Sequence, residues 1–383
     1  MDFAFSDEQE ELRRTVRAFL ADTSPETEMR RLMETPEGFD RALWRRMGTE
    51  LGLQGLAVPE EYGGAGYGPV EVGVVMEELG RALLCAPFLA SAVLATTTLL
   101  RCDDEDARKR LLPGLASGEL VGTLALTEDS ARWDAEGVQL TARESAGSWL
   151  LTGHKMFVLD GAAADVVLTV ARTGEGIGVF WVDGDAAGLT HEPLPTMDPT
   201  RRQARLDYHD VPATRLRTSG GDGWDLVSEV LDRASVALAA EQVGVASRAL
   251  DMAVEYAKVR HQFGRPIGSF QAVKHLLADV LLEVESARAA AHYALLAAEN
   301  EDTDLPAVAS LAKAFCSDAS LQATEQNIQV HGGIGFTWEH PAHLYLKRAK
   351  TSQLLFGDPA YHRELLARRI GMDSGTNAVG GAV

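Results

Sequence analysis

A chain of 383 residues, of which 46% are hydrophobic, is long enough to bury two or three separate cores. Its 36 basic and 56 acidic residues give a formal net charge of -20, which argues against nucleic acid or an anionic membrane as the main partner. Any anion that the protein binds must therefore be held by a local cluster of donors.

The N-terminal third of the chain is predicted to be helical. Ser6 with Gln9 three residues later matches a capping box, and an apolar stripe of helical period follows. The acidic start "MDFAFSDEQEELRR" lacks the basic and apolar regions of a secretory signal. The longest nearly apolar run, "FLASAVLATTTLL", has 13 residues and is too short to cross a bilayer. We therefore expect a soluble, cytoplasmic protein without a membrane anchor.

The middle of the chain is predicted to consist of short strands. β-Branched and alternating runs follow one another closely, separated by Gly, Asp and Pro: "LVGTLAL", "VQLTARE", "SWLLTGHKMFVL", "DVVLTVAR", "GIGVFWVD", "LTHEPL" and "QARLDYHDV". This spacing indicates a compact antiparallel β domain. After "SGGDGW" the pattern becomes helical again, with long segments near 225–259, 269–300 and 305–330 and a shorter pair near 342–370.

These patterns predict an α+β multidomain fold. We expect an N-terminal helical domain at 1–118, a central antiparallel β domain at 119–222, a C-terminal four-helix bundle at 223–372 and a disordered tail at 373–383. Strands confined to one block argue against a doubly wound nucleotide-binding fold, in which strands and helices alternate. Ala-rich helices with few polar core positions suit a bundle.

Several motifs are weak on inspection. "GGAGYG" at 63–68 neither follows a strand nor matches a dinucleotide fingerprint, so we interpret it as a loop. His340 and His343 in "HPAH" lack a carboxylate cluster, and we predict no metal site. The three cysteines, Cys85, Cys102 and Cys316, stand far apart and are expected to be reduced and buried. Motifs of hydrolases and kinases are not found.

Two stretches stand out chemically. "YAKVRHQFGRPIGSFQ", Tyr256 to Gln271, gathers cations and amides at a helix end without a nearby carboxylate in sequence. "QVHGGIGF", Gln329 to Phe336, ends a long helix in two glycines, where bare backbone can approach a ligand closely. Alone, the second stretch is better explained as a helix C-cap at Gly332.

Together these stretches resemble the acyl-CoA dehydrogenase family, as do "PEEYGGAG" and "GHKMFV". The resemblance covers essentially the whole chain. It implies that Arg260 binds the pyrophosphate of FAD, for which a guanidinium fork is well suited. It further implies that the remaining residues contact the cofactor, partly in a neighbouring subunit. Gln262, Phe263 and Gln271 would flank FAD, Gln329, Gly332 and Gly333 would lie against its ADP half, and Thr127 would belong to the flavin-contacting loop.

The sequence departs from the family pattern near the flavin. A "TEPGAGSD"-like loop is expected, but the chain has "TEDSARWD", in which only Thr127, Glu128 and Asp134 match. Leu159 stands where the family often has a hydroxyl residue. The arginine expected three residues after Asp232 is displaced by two, to Arg233.

The largest departure concerns the catalytic base. Family chemistry removes an α-proton while a β-hydride passes to the flavin, and the proton needs a positioned base. Phe356 occupies the usual Glu position, and Ala234 occupies the position used by a second subgroup. The nearest acids in sequence are Asp358 and Glu241, and Asp358 is our candidate base. Asp358 is better explained as an N-cap for the helix that opens with Pro359, and Glu241 is better explained as an internally paired residue.

The resemblance predicts an FAD-dependent acyl-CoA dehydrogenase that desaturates a CoA thioester and passes electrons to an electron-transfer flavoprotein. Two alternatives stay open: a non-catalytic partner subunit of a hetero-oligomeric acyl-CoA dehydrogenase, and a flavin oxidase or hydroxylase on the same scaffold. The expected assembly is a homo-oligomer or a tetramer with a related subunit, formed through the Ala-rich C-terminal helices. The acyl group is not predicted.

Overall fold

The computed structural model of the chain describes residues 5–145, 147–220 and 222–372. Six α-helices lie before the first strand within these ranges. They are α1 (Asp7–Thr23), α2 (Glu26–Leu32), α3 (Arg41–Thr49), α4 (Pro69–Ala82), α5 (Thr96–Arg101) and α6 (Glu105–Ser117). The predicted N-terminal helical domain is therefore confirmed as helical. The predicted disordered tail lies outside the described residues.

The start of α1 confirms the capping box. The backbone N–H of Gln9 donates to Oγ of Ser6 over 3.2 Å, and the backbone N–H of Ser6 donates to Oε1 of Gln9 over 2.9 Å. Each side chain thus satisfies one of the N–H groups that a helix start leaves unpaired.

Two N-terminal elements escaped the sequence analysis. α2 is only seven residues long, too short for a clear period. The apolar run "FLASAVLATTTLL" contains a π-helical segment, Leu89–Ala95, which continues into α5. All seven residues of this segment are buried, so it has no polar face from which its helical period could be read.

Seven strands form one sheet in the middle of the described chain. They are β1 (Gly122–Ala125), β2 (Thr141–Ser145), β3 (Ser148–Leu159), β4 (Val166–Thr173), β5 (Gly176–Asp183), β6 (Leu189–Pro193) and β7 (Gln203–Arg215). The order is β1-β4-β2-β3-β7-β5, with β6 on β7, and an additional β4–β5 pairing closes the path into a ring. Most pairs are antiparallel as predicted, whereas β4 pairs in parallel with β1 and, at one residue, with β2.

Long helices return after the sheet. They are α7 (Gly223–Val259), α8 (Gln271–Glu299), α9 (Leu305–His331), α10 (Ala342–Leu354) and α11 (Pro359–Arg369), and the two-residue strands β8 (His261–Gln262) and β9 (Arg265–Pro266) lie between α7 and α8. Small side chains allow close packing here, and Ala246 and Ala249 of α7 share a buried cluster with Ala323 of α9. The predicted C-terminal helical domain is confirmed.

The chain divides into two compact units. The bundle unit comprises Met1–Arg17, Gly73–Leu83 and Ser235–Val383, and the sheet unit comprises Ala18–Val72 and Leu84–Ala234. The domain limits predicted from the sequence stay a prediction. All three cysteines are free and buried. In the described ranges, no helix is long and apolar enough to cross a membrane.

Candidate functional site

The stretch after α7 folds as a β-hairpin. His261 pairs with Pro266 and Gln262 with Arg265, and the two turn residues, Phe263 and Gly264, have φ angles of 53° and 78°. Positive φ at both central residues is the signature of a type I′ turn, which suits the twist of a hairpin. Phe263 is 92% exposed, so the side chain of this strained residue is accessible to a ligand or a second subunit.

Arg260 is the exposed cation at the start of this hairpin. Its backbone is fixed, because its N–H donates to the Tyr256 carbonyl over 2.9 Å and its carbonyl accepts from Ile267 N–H over 2.8 Å. Its guanidinium makes no hydrogen bond or ion pair with any described residue. Arg265 differs, since its guanidinium stacks over the Phe270 ring at 4.1 Å.

The structure brings the second motif to the same end of the bundle. The His331 ring, directly before Gly332, stacks on the Tyr256 ring one turn before Arg260, with ring centroids 4.3 Å apart. Gly332 has φ 62° and ψ -140°, a combination that essentially only glycine adopts. Side chains added at Gly332 or Gly333 would meet nothing described within 4 Å, so this backbone is open to a ligand.

These features fit the phosphates of a nucleotide cofactor. A fixed backbone presents a guanidinium that can form charge-assisted hydrogen bonds, beside glycines that bring backbone close to a ligand. The other predicted cofactor residues of this region, Gln262, Gln271 and Gln329, are exposed as well. His340 and His343 make ring contacts with different residues, His331 and Trp338 respectively.

Thr127 lies in the sheet unit on a loop fixed by a buried ion pair. Its hydroxyl donates to the Met156 carbonyl over 2.7 Å, so the hydroxyl proton is already used and only its lone pairs remain for a ligand. Next to it, Glu128 accepts from Lys155 Nζ over 2.7 Å. Lys155 is fully buried, and burial lowers its pKa to about 8, although the neighbouring Glu128 carboxylate opposes the shift.

Leu159 and Phe157 end the long strand β3. Leu159 is buried and contributes no side-chain donor, as the sequence indicated. Phe157 lies on an irregularity of the β3–β7 pairing between Lys155 and Val158, has φ 59° and is 38% exposed. The sequence analysis did not single out Phe157, because a bulge has no period of its own.

Phe356 lies on a tight turn between α10 and α11. It is buried, and its φ of 61° is in the left-handed region that a bulky residue rarely adopts. Gly357 follows with φ 109°, and a Cβ there would lie 2.2 Å from the Tyr361 ring, so only glycine fits. No acid–base chemistry is available from the phenyl side chain.

Asp358, the candidate base, has a structural role at this turn. Its Oδ1 accepts from the backbone N–H of Tyr361 over 2.8 Å, which makes it the N-cap of α11. The residue is exposed. This contact bears out the capping interpretation without testing whether Asp358 also accepts a proton from a substrate.

Glu241 is held in the core of the bundle unit. Arg348 Nη1 lies 3.2 Å from its Oε1, and both side chains are 3% exposed. Its backbone is packed closely as well, because a Cβ at Gly80 of α4 would lie 2.2 Å from the Glu241 carbonyl oxygen. The burial of this carboxylate and its pairing with Arg348 support the interpretation of Glu241 as a structural residue.

Sequence reasoning missed the buried polar groups around these positions. Lys313 and Arg348 were not named, although each interrupts an otherwise small or apolar helix face, as in "SLAKAFCS". That interruption was an available signal, since Lys and Arg are almost never fully buried unless paired. Their partners come from other helices and cannot be read from local spacing.

Comparison with known proteins agrees with this architecture. The chain matches the acyl-CoA dehydrogenase N-terminal domain at residues 6–119, the middle domain at 123–211 and the C-terminal domain at 221–371. It is 38% identical to the acyl-CoA dehydrogenase IpdE2 of Mycolicibacterium smegmatis over 363 residues, covering 95% of this chain and 98% of that protein.

Solved structures with the same fold include two whose names each join two proteins. One is a variant of the Tcur3481-Tcur3483 steroid ACAD, with 32% identity, a TM-score of 0.87 and coverage of 97% of this chain and 99% of that one. The other is the ChsE4-ChsE5 complex of Mycobacterium tuberculosis, with 28% identity, a TM-score of 0.87 and full coverage of both chains, 100% each.

The order of helices, sheet and helices, together with these matches, places the protein in the class of acyl-CoA oxidoreductases. The protein belongs to the acyl-CoA dehydrogenase family.

Proposed function

We propose that this chain is a subunit of an FAD-dependent acyl-CoA dehydrogenase, which desaturates a CoA thioester between its α and β carbons. The observation that carries the proposal is the exposed guanidinium of Arg260, which pairs with no described residue, beside the open glycine backbone at Gly332 and Gly333. Family membership supports it, and a net charge of -20 argues against an adventitious anion site at this place.

Four residues in and beside the hairpin have defined tasks in this proposal. Arg260 binds the pyrophosphate, while Gln262 and Gln271 donate to or accept from the cofactor's polar groups. Phe263 supplies an exposed aromatic face against it. Bound FAD supplies the oxidant that takes up the β-hydride. Electrons then leave to an electron-transfer flavoprotein, a partner inferred from the family.

A second candidate function follows from the missing base. Phe356 cannot accept a proton, Asp358 caps α11, and Glu241 pairs with Arg348. These contacts favour a non-catalytic partner subunit of a hetero-oligomeric acyl-CoA dehydrogenase. Such a subunit would lend Arg260, Gly332 and Gly333 to the FAD of a related subunit that contains the base. The paired names of the two solved structures support this possibility.

The absorbance spectrum of the purified protein tests both candidates. We expect a yellow protein with oxidised flavin, either alone or only when it is co-purified with a related acyl-CoA dehydrogenase subunit. Sedimentation at micromolar concentration should show an oligomer, since the FAD site would be shared. A colourless monomer under both conditions would contradict the proposal, and rapid oxygen consumption with acyl-CoA would instead indicate an oxidase.

A further inference from the structure

Lys313 is a buried lysine without a carboxylate partner in direct contact among the described residues. It lies in the middle of α9, is 0% exposed, and has Ala312 and Ala314 as neighbours in sequence. Burying an ammonium group is costly, so a lysine here needs strong compensation from hydrogen bonds. The structure shows where that compensation comes from.

All three donors of the Lys313 ammonium are used. Nζ donates to Oγ of Ser317 over 3.0 Å, to the carbonyl of Gln353 over 3.1 Å and to the carbonyl of Gly357 over 3.1 Å. Gln353 belongs to the last turn of α10, where the partial negative charge of the helix C-terminus favours a cation. Lys313 therefore joins both ends of the segment that carries Phe356.

The same turn is fixed from α11. Nε2 of His362 lies 3.1 Å from the Phe356 carbonyl, to which it donates. Burial, with the positive charge of Lys313 as a second cause, lowers the pKa of His362 to about 3, so the ring is neutral at ordinary pH. Three carbonyls of this segment, those of Gln353, Phe356 and Gly357, are thus held by two buried side chains.

The hydrogen bonds from Lys313 and His362 hold Phe356 in a strained backbone conformation, with a φ of 61°. A bulky residue in the left-handed region costs free energy and persists only where surrounding contacts enforce it. Strained, over-determined backbone is typical of positions at which a side chain must be aimed. Phe356 is an unusual residue for this position, because a bulky side chain rarely adopts a positive φ.

We propose that Lys313 is a positioning residue, which fixes the backbone turn that carries Phe356. Because this turn is already fixed, replacing the phenyl side chain by a carboxylate is sufficient to restore a base at residue 356. This inference rests on the proposed function for its catalytic part. Its structural part, the fixing of the turn, is independent of FAD and substrate. The two parts can therefore be tested separately.

Amide hydrogen exchange of the full-length protein tests the structural part. In Lys313→Met, we expect the amides of the peptide covering 350–362 to exchange about tenfold faster or more, because the hydrogen bonds from Nζ to the Gln353 and Gly357 carbonyls are lost. Peptides elsewhere in the chain should be unchanged. Lys350→Met is the matched control: its Nζ donates to Oε1 of Gln353 over 2.6 Å, near the same turn but not to its backbone. It should leave the exchange unaltered.

A second variant of Lys313 is measured in case the first does not fold. If Lys313→Met does not fold, Lys313→Gln keeps a polar head and is measured in its place. Unchanged exchange at 350–362 in a folded Lys313 variant would overturn the proposal. Failure of both variants to fold would do the same, because it would assign Lys313 to the stability of the whole bundle.

Flavin reduction tests the catalytic part. FAD content is measured first by absorbance, in wild type, Phe356→Glu and Phe356→Glu/Lys313→Met. With FAD bound, Phe356→Glu should be reduced by acyl-CoA faster than wild type by about 10²-fold or more, since a general base is typically worth 10²- to 10⁴-fold. Adding Lys313→Met should remove most of that gain at equal FAD content, because displacement of the base by about 1 Å can cost 10²-fold.

The outcomes distinguish this inference from the proposed function. Bound FAD with no gain in Phe356→Glu, or a gain that Lys313→Met leaves intact, overturns the positioning role in catalysis. Absence of FAD from all three proteins, both alone and when co-purified with a related acyl-CoA dehydrogenase subunit, contradicts the proposed function instead. In that case the exchange measurement alone decides whether Lys313 fixes the turn.

Discussion

Arg348 Nη1 lies 3.2 Å from Oε1 of Glu241, and the two side chains form a buried ion pair in which each is only 3% exposed. Glu241 is one of two acids that the sequence offers near the expected base positions. Its pairing makes it a structural carboxylate in the bundle core. The remaining acid, Asp358, is fixed differently, at an exposed helix start.

Glu241→Gln should therefore destabilise the fold strongly. Removing one partner of a buried ion pair typically costs about 3 to 5 kcal/mol. Urea denaturation measures the loss, and Glu229→Gln is the control on the same helix. Glu229 is 35% exposed and paired with Arg233 and Arg101, so its substitution should cost about 1 kcal/mol or less. Equal losses in the two variants would contradict the structural role of Glu241.

Asp358 should behave as a helix cap. Asp358→Ala should lower the free energy of unfolding by about 1 kcal/mol, because the Tyr361 N–H loses its acceptor, whereas Asp358→Asn should be nearly neutral since asparagine caps equally well. Flavin reduction by acyl-CoA should be the same in Asp358→Asn and wild type. Loss of that reduction, with folding and FAD retained, would instead identify Asp358 as the base.

Arg260→Ala should weaken FAD binding. Loss of a charge-assisted contact to phosphate costs about 1.5 to 3 kcal/mol, which corresponds to a tenfold or greater increase in the Kd for FAD. Lys258→Ala is the control, as it removes an exposed cation from the last turn of α7. Titration of the apoprotein with FAD gives both constants. Equal affinity in Arg260→Ala and wild type would remove Arg260 from the cofactor site.

Lys313 should make stability depend on pH. Burial lowers its pKa in the folded chain to about 7, whereas a lysine in an unfolded chain has a pKa of about 10.4. Between these values the unfolded chain binds more protons, so the free energy of unfolding rises with pH. The titratable groups that interact electrostatically with the Lys313 amine are Cys316, Asp318, Asp358 and His362. They are common to wild type and Lys313→Met and should largely cancel in the comparison.

Denaturation at pH 7 and pH 9 measures this dependence. Wild type should gain about 2 kcal/mol relative to Lys313→Met over that interval, because each pKa unit corresponds to about 1.4 kcal/mol. Identical pH dependence in the two proteins would show that Lys313 keeps an ordinary pKa in the folded chain.

Local patterns predicted much of the fold, while contacts between elements did not follow from them. β3 and β5 begin and end where the β-branched and apolar runs "SWLLTGHKMFVL" and "GIGVFWVD" begin and end, and Ser6 with Gln9 forms the expected capping box. The parallel pairing of β1 with β4 depends instead on chain topology, which has no local signal. The π-helical segment is buried on all sides and therefore lacks a readable period.

The same division holds for the site. The hairpin in "RHQFGRPIG" was not predicted, because Gly264 suits a two-residue turn with positive φ but a bulky residue such as Phe263 rarely adopts it. The contact of Tyr256 with His331 joins two motifs that are far apart in sequence, and only the fold shows it. The partners of Glu241 and Lys313 likewise come from α10 and the turn after it.

We infer that this chain belongs to an FAD enzyme but contributes no base of its own. Anaerobic flavin reduction by a panel of saturated acyl-CoAs, with the purified chain alone and with the chain co-purified with a related subunit, tests this most directly. We predict oxidised flavin that is reduced slowly or not at all in the chain alone and rapidly in the mixed complex. Rapid reduction by the chain alone would contradict the inference, and loss of that reduction in Asp358→Asn would identify Asp358 as the base.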